Sequence, residues 1–279
     1  MATRVRQVEL SISGERADVV LNRPDRLNAL SEQLLIELKA ALKEIRASDA
    51  RVVVIQGSGD RAFCAGADID ELWDSAGPGA RRWLENGQEV LRQIETYDRP
   101  TIALVQGLAL GGGFELAMAC SLLVASTQAR FGLPEPNLGL IPGLGGVHRV
   151  TRQVGVHRAN RILLTGEIIG AAEAHALGLL SFPPMDPTDL KGFMSDLCET
   201  IASLSTRALS AILEAQIYGL SASADEALES ELNLAARAIA SSDGREGMTA
   251  FREKRPARFA PARSSALPPP SPVQDSGAP

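Results

Sequence analysis

Two glutamates stand where a carboxylate is either costly or pinned. Glu115 falls in the first turn of a helix that otherwise reads Phe114-Glu115-Leu116-Ala117-Met118-Ala119, and among such neighbours a carboxylate loses hydration unless it is paired or used. The alternative role there is a surface partner for the helix dipole. Glu135 lies between Pro134 and Pro136, which restrict its backbone and direct its side chain. An exposed loop glutamate is the ordinary alternative. Two carboxyls sharing an apolar pocket have their pKa values pushed apart, so one stays protonated while the other ionises. That is the equipment for general acid–base catalysis, typically worth about 10²–10⁴-fold.

Two glycine-bearing segments offer the complementary chemistry. Ala62–Ile69 follows an apolar run at Arg51–Ile55, and Gly107–Glu115 follows another at Thr101–Val105. Both leave the carboxyl ends of parallel strands, where ligands bind in such sheets. Gly111-Gly112-Gly113 opens a helix with unhindered N–H groups at the positive end of the dipole. Two such loops meeting at one oxygen would stabilise developing negative charge, each donor being worth about 2.7–4 kcal/mol. Taken alone, the glycines fit close strand–helix packing equally well. Ile141–Gly146 is a third glycine-rich turn entering a helix, but it matches neither a Walker loop nor GxGxxG.

The elements that must position these groups follow from periodicity. Val8, Leu10 and Ile12 alternate along a strand, Ser13-Gly14-Glu15 turns, and Ala17–Leu21 returns. Ser31 caps a helix whose face is Leu34, Leu38, Leu42 and Ile45. Val52–Ile55, Thr101–Val105 and Leu122–Ala125 are apolar on both faces, as strands covered by helices are, with Arg81–Glu95 helical between the first two. The alternation predicts an α/β fold with a largely parallel sheet. Beyond about residue 185 the strand signals stop, and 189–204, 206–218 and 224–241 read as amphipathic helices. The expected organisation is a core at 1–185, a helical region at 186–260 and a disordered Pro/Ser-rich tail at 261–279.

Composition sets bounds on partners. Of the 279 residues 45% are hydrophobic, 22% charged and only 4% aromatic, which suits layered helices and strands built from Leu, Val, Ile and Ala. A net charge of −6 argues against a broad nucleic-acid surface. No apolar run is long enough for a signal peptide or a membrane span, and Cys64, Cys120 and Cys198 lack CxxC spacing, so the expectation is a cytoplasmic protein with reduced thiols. His148, His157 and His175 show no metal spacing. Cys64 reads as packing rather than a nucleophile, and Arg81-Arg82 as a solvated face.

In order along the chain, Asn22-Arg23-Pro24, Leu27-Asn28-Ala29-Leu30, Ala65-Gly66-Ala67-Asp68, Gly111–Glu115, Pro134-Glu135, Ile141-Pro142-Gly143 and Arg245–Met248 resemble the crotonase (enoyl-CoA hydratase/isomerase) superfamily over residues 5–260. The resemblance implies a crotonase-like spiral of β-β-α units with a C-terminal helical region that builds homotrimers, paired into homohexamers. It implies an oxyanion hole from the amides of Ala67 and Gly112, and catalysis by the pair Glu115 and Glu135; the chemistry makes Glu115 the candidate base for water and Glu135 the candidate donor to C2, a division the resemblance leaves open. Ala65, Asp68 and Ile69 match backbone positions that hold the adenine of CoA; Arg61 and Lys254 match its phosphate contacts, the latter able to come from a neighbouring subunit. The implied reaction is reversible hydration of a trans-2-enoyl-CoA, with no metal or redox cofactor and CoA as part of the substrate. A double-bond isomerase or another acyl-CoA lyase is the alternative, and a non-catalytic CoA- or RNA-binding member a distant one. Phe114 and Leu133 depart from the pattern, being bulkier and less polar than is frequent at their places, and 71–82 is where the acyl pocket varies.

Overall fold

A computed structural model describes residues 6–75 and 77–262. An antiparallel hairpin, β1 (Val8–Ser13) and β2 (Arg16–Leu21), opens the chain about Gly14, as the alternation predicts. Helix α1 (Glu32–Arg46) follows, with the Ser31 hydroxyl accepting from the Leu34 amide at its N-cap.

The chain then advances in repeats. β3 (Val52–Gly57) and β4 (Ala62–Cys64) precede α2 (Ile69–Asp74) and α3 (Pro78–Glu95); β5 (Thr101–Val105) and β6 (Leu108–Leu110) precede α4 (Gly112–Ala119). β7 (Leu122–Ala125) and β8 (Arg130–Gly132) lead to α5 (Gly146–Val154), α6 (Val156–Thr165), β9 (Ile168–Gly170) and α7 (Ala171–Ala176). One strand of each pair joins the sheet β1-β2-β3-β5-β7, and the other joins a smaller sheet, β4-β6-β8-β9.

This second sheet changes the origin of the glycine loops. The periodicity places them directly after β3 and β5, but three-residue strands intervene, and the loops leave the carboxyl ends of β4 and β6, which pair in parallel. Strands so short carry too few alternations to read as strands.

Helices α8 (Pro187–Ala202), α9 (Thr206–Gly219), α10 (Ala224–Ala240) and α11 (Ser242–Glu253) complete the chain. Within the main sheet β3 and β5 are apolar on both faces because both are covered. Val53, Ile55, Ala103 and Val105 face the central core, while Val52, Val54, Ile102 and Leu104 meet Leu190, Met194, Cys198 and Ile201 of α8. Two buried arginines tie the layers through carbonyls. Arg99 donates to Ile45, Arg46 and Ala50 at the end of α1. Arg51 donates to Ala202, Leu204, Phe259 and Ala260, fastening the C-terminal segment. Ala262 is buried, so the chain is packed past residue 261; the remainder of the expected tail lies outside the described residues. Among those described, no helix is long and apolar enough to cross a membrane.

Candidate active site

The amide side of the site is built from backbone. Leu30 and Ala67 form an isolated parallel bridge: the Leu30 amide donates to the Gly66 carbonyl and the Asp68 amide to the Leu30 carbonyl, both at 2.8 Å. In that pattern the amide of Ala67 itself points away from Leu30. The Ala67 nitrogen lies close to α4: a Cβ built on Gly112 would lie 3.5 Å from it. The Gly112 amide, first in its helix, has no intrahelical acceptor. The two amides proposed from sequence are thus neighbours.

Side chains outside the loop hold it there. The Arg23 guanidinium donates to the Ala29 carbonyl at 2.6 Å and to Asp68 Oδ2 at 2.7 Å. Asn28, in the left-handed region at φ 57°, accepts from the Arg23 amide and donates to the Ser58 and Ala62 carbonyls. Burial opposes ionisation of Asp68, but Arg23 and the amides of Glu71 and Asp70 hold its carboxyl below the usual range. The Asn22–Leu30 stretch, recognisable in sequence only as part of a resemblance, is the brace of the amide loop.

The carboxylate side is built from side chains. Glu115 is 1% exposed, and its Oε1 accepts from the amides of Leu144 at 2.8 Å and Gly146 at 2.6 Å. A side chain on Gly146 would crowd this carboxylate, since a Cβ there would lie 2.8 Å from Glu115 Oε1. Burial pushes the Glu115 carboxyl up to about 7, opposed by the Gly146 amide and reinforced by the charge of Glu135. Glu135 opens a 3-10 turn, Glu135–Leu138, after β8. Burial raises its carboxyl too, opposed by its own amide, and its Oε2 is buried with no hydrogen-bond partner. A Cβ on Gly111, at φ 50°, would lie 2.9 Å from Glu135 Oε1 and 3.7 Å from the Gly66 Cα, so this glutamate meets the amide loops. The pair can therefore hold a proton near neutrality beside two free amides.

The other sequence candidates are placed less tightly. Ala65 is half-buried, Ile69 is exposed, and Arg61 is exposed in the turn before β4. Asp68 caps α2 and pairs with Arg23 through its side chain, while its amide donates to the Leu30 carbonyl and its carbonyl accepts from the Leu72 amide. Lys254 is exposed beyond α11, and no hydrogen bond or ion pair joins it to 61–69 among the described residues. Cys64 is buried, and burial pushes its thiol up to about 12, which removes it as a nucleophile. Phe114 is buried in the core, its ring 5.3 Å from that of Phe131. Among the described residues no group of three or more His, Cys, Asp or Glu is placed to hold a metal.

Sequence reading missed Arg149 and Glu95. Arg149 is 9% exposed, donates to the Leu144 carbonyl at 2.7 Å, and pairs twice with Glu95 at 3.1 and 3.0 Å. The available signal was a charge on the buried face of α5, Gly146, Arg149, Val150 and Val154.

Comparison with known proteins matches the chain to one family. The enoyl-CoA hydratase/isomerase family model matches residues 13–262. A crotonyl-CoA hydratase of Syntrophomonas wolfei is 38% identical over 244 residues, covering 87% of this chain and 94% of that protein. A short-chain-enoyl-CoA hydratase of Clostridium acetobutylicum is 36% identical over 249 residues, covering 89% and 95%. The crystal structure of an enoyl-CoA hydratase from Bacillus anthracis superposes with a TM-score of 0.87 at 34% identity, covering 91% of this chain and 98% of that one. The chain belongs to the enoyl-CoA hydratase/isomerase family.

Proposed function

We propose that this protein is an enoyl-CoA hydratase, adding water across the double bond of a trans-2-enoyl-CoA to give a 3-hydroxyacyl-CoA. The observation that carries the reading is the pair of buried Glu115 and half-buried Glu135 beside the loops that bring the Ala67 and Gly112 amides together. The relatives named as hydratases support it. The thioester oxygen accepts from the two amides, which stabilises the enolate-like charge that develops as C3 is attacked. Glu115, fixed by two N–H donors that favour its ionised form, takes a proton from water as the oxygen bonds to C3. Glu135, whose buried Oε2 has no donor, delivers a proton to C2. Proton transfer and C–O bond formation change no oxidation state, so the reaction calls for no redox cofactor, and CoA arrives with the substrate.

We also propose a homotrimer or homohexamer. Ile212, Leu228, Leu232, Ile239, Met248 and Phe251 expose apolar surface along α9–α11, and burying such surface is a main driving force for association. Sedimentation of wild type and Leu232→Lys tests this; a monomeric wild type rejects it.

The primary experiment follows loss of the conjugated thioester absorbance with crotonyl-CoA. Turnover in wild type that collapses in both Glu115→Gln and Glu135→Gln supports the assignment. No turnover with short or long enoyl-CoA rejects it, and loss in Glu135→Gln alone selects the isomerase.

A further inference from the structure

The two amides that grip Glu115 belong to a turn with few constraints of its own. Leu144 N–H belongs to the 143–144 peptide and Gly146 N–H to the 145–146 peptide, so the Leu144–Gly145 peptide joins two donors. Gly145 sits at φ 99°. The second donor peptide is fixed by the start of α5, whose Arg149 amide donates to the Gly145 carbonyl at 2.9 Å; the two peptides before it are held from behind, by side chains on their carbonyls. Gln88 of α3 donates to the Gly143 carbonyl at 2.7 Å, on the first donor peptide. Arg149 donates to the Leu144 carbonyl, on the joining peptide. Glu95, two turns along α3 from Gln88, holds that arginine with a two-point ion pair.

A stabilising role alone does not account for this arginine. A buried ion pair is weak evidence for stability, since apolar replacements are often neutral or better. The fork geometry, by contrast, lets one planar cation hold a carboxylate and a carbonyl at fixed angles, which a lysine does not reproduce. Arg149 also occupies the space beside Gly145, where a Cβ would lie 2.6 Å from its Nη1.

We propose that Glu95 and Arg149 are positioning residues for catalysis: their ion pair orients the Leu144–Gly146 backbone so that two amides hold Glu115 Oε1 and leave Oε2 to take the proton from water. The proposal rests on the hydratase reading for its consequence, though not for its geometry.

The test compares wild type, Arg149→Lys and Glu95→Gln with two readouts: kcat against pH with crotonyl-CoA, and the Glu115 carboxyl band followed against pH by infrared difference spectroscopy, identified by its absence in Glu115→Gln. Displacement of a catalytic group by an ångström can cost about 10²-fold, so both variants are expected to lose about tenfold to a hundredfold in kcat while remaining folded. Glu115 titrates at higher pH in both, because the amides that favour its ionised form have moved. The sign in Glu95→Gln is decisive. Removing the Glu95 charge alone strengthens the pull of Arg149 on Glu115 and lowers its titration; losing the amides raises it. A Glu115 titration that stays or falls in folded Glu95→Gln overturns the proposal, as does a kcat within twofold of wild type in both variants. Should Arg149→Lys fail to fold, Glu95→Gln alone decides, its carboxylate being partly exposed and its replacement isosteric. A wild type that turns over no enoyl-CoA rejects the hydratase reading instead, and the infrared titration still decides the positioning claim.

Discussion

The amide wall of the site, Gly66–Asp68 against Gly111–Gly112, is made of backbone and braced by side chains lying behind it: Arg23, Asn28 and Asp68. The carboxylate wall, Glu115 and Glu135, is made of side chains and braced in part by backbone, the amides of Leu144 and Gly146. A point substitution can erase a carboxylate in place, but it can only displace an amide. The first wall should therefore fail through loss of structure and the second through loss of chemistry.

The largest effect tests the carboxylate wall. Glu115→Gln and Glu135→Gln each remove a proton-transfer group while keeping its shape, and kcat is expected to fall by about 10²–10⁴-fold with thermal stability retained. A variant that loses its fold along with its activity breaks the contrast.

Next comes the brace of the amide wall. Arg23→Met strands the Asp68 carboxylate, whose side chain is only 8% exposed. Removing one partner of a buried pair costs about 3–5 kcal/mol. Urea unfolding should show that loss. An unchanged midpoint would mean that Asn28 and the Leu30 bridge suffice without the ion pair.

Gly146→Ala attacks the carboxylate wall through its backbone, since the new methyl must displace Glu115 or the turn. A loss of about 10²-fold in kcat is expected from misplacement of the base. A much smaller loss would mean that Glu115 tolerates movement, which would weaken the case for Glu95 and Arg149.

The same contrast explains what the sequence revealed. The carboxylate wall was legible because its chemistry is a residue type in the wrong company: Glu115 in an apolar helix and Glu135 between prolines. The main sheet was legible because β3, β5 and β7 are apolar on both faces. The amide wall was harder, because glycines record only that backbone comes close to something. Its true starting points, β4 and β6, are three residues long and show no period. Bracing by long-range contacts left least trace: Glu95 and Arg149 lie 54 residues apart, and Arg51 reaches carbonyls 208 and 209 residues away.

The smallest effect separates the walls by acidity. With Glu115 raised to about 7 and acting as base, kcat should fall about tenfold per pH unit once pH drops well below that value. The stability consequences run in opposite directions. The raised Glu115 value means that its contribution to stability is full below the unfolded value of about 4.3 and lost as pH rises through about 7. The lowered Asp68 value means the reverse: its contribution is present above the unfolded value of about 3.9 and lost as pH falls through the lower folded value. Between about pH 4.5 and 6 the protein should thus be folded and slow, recovering full activity on return to pH 8. Thermal unfolding supplies the check: on going from pH 8 to pH 6 the midpoint should rise more in wild type than in Glu115→Gln, which has no proton to gain. Equal shifts in the two proteins would mean that Glu115 is already settled in one protonation state across that range, and an acid limb in the rate would then make Glu135 the base, reversing the two roles.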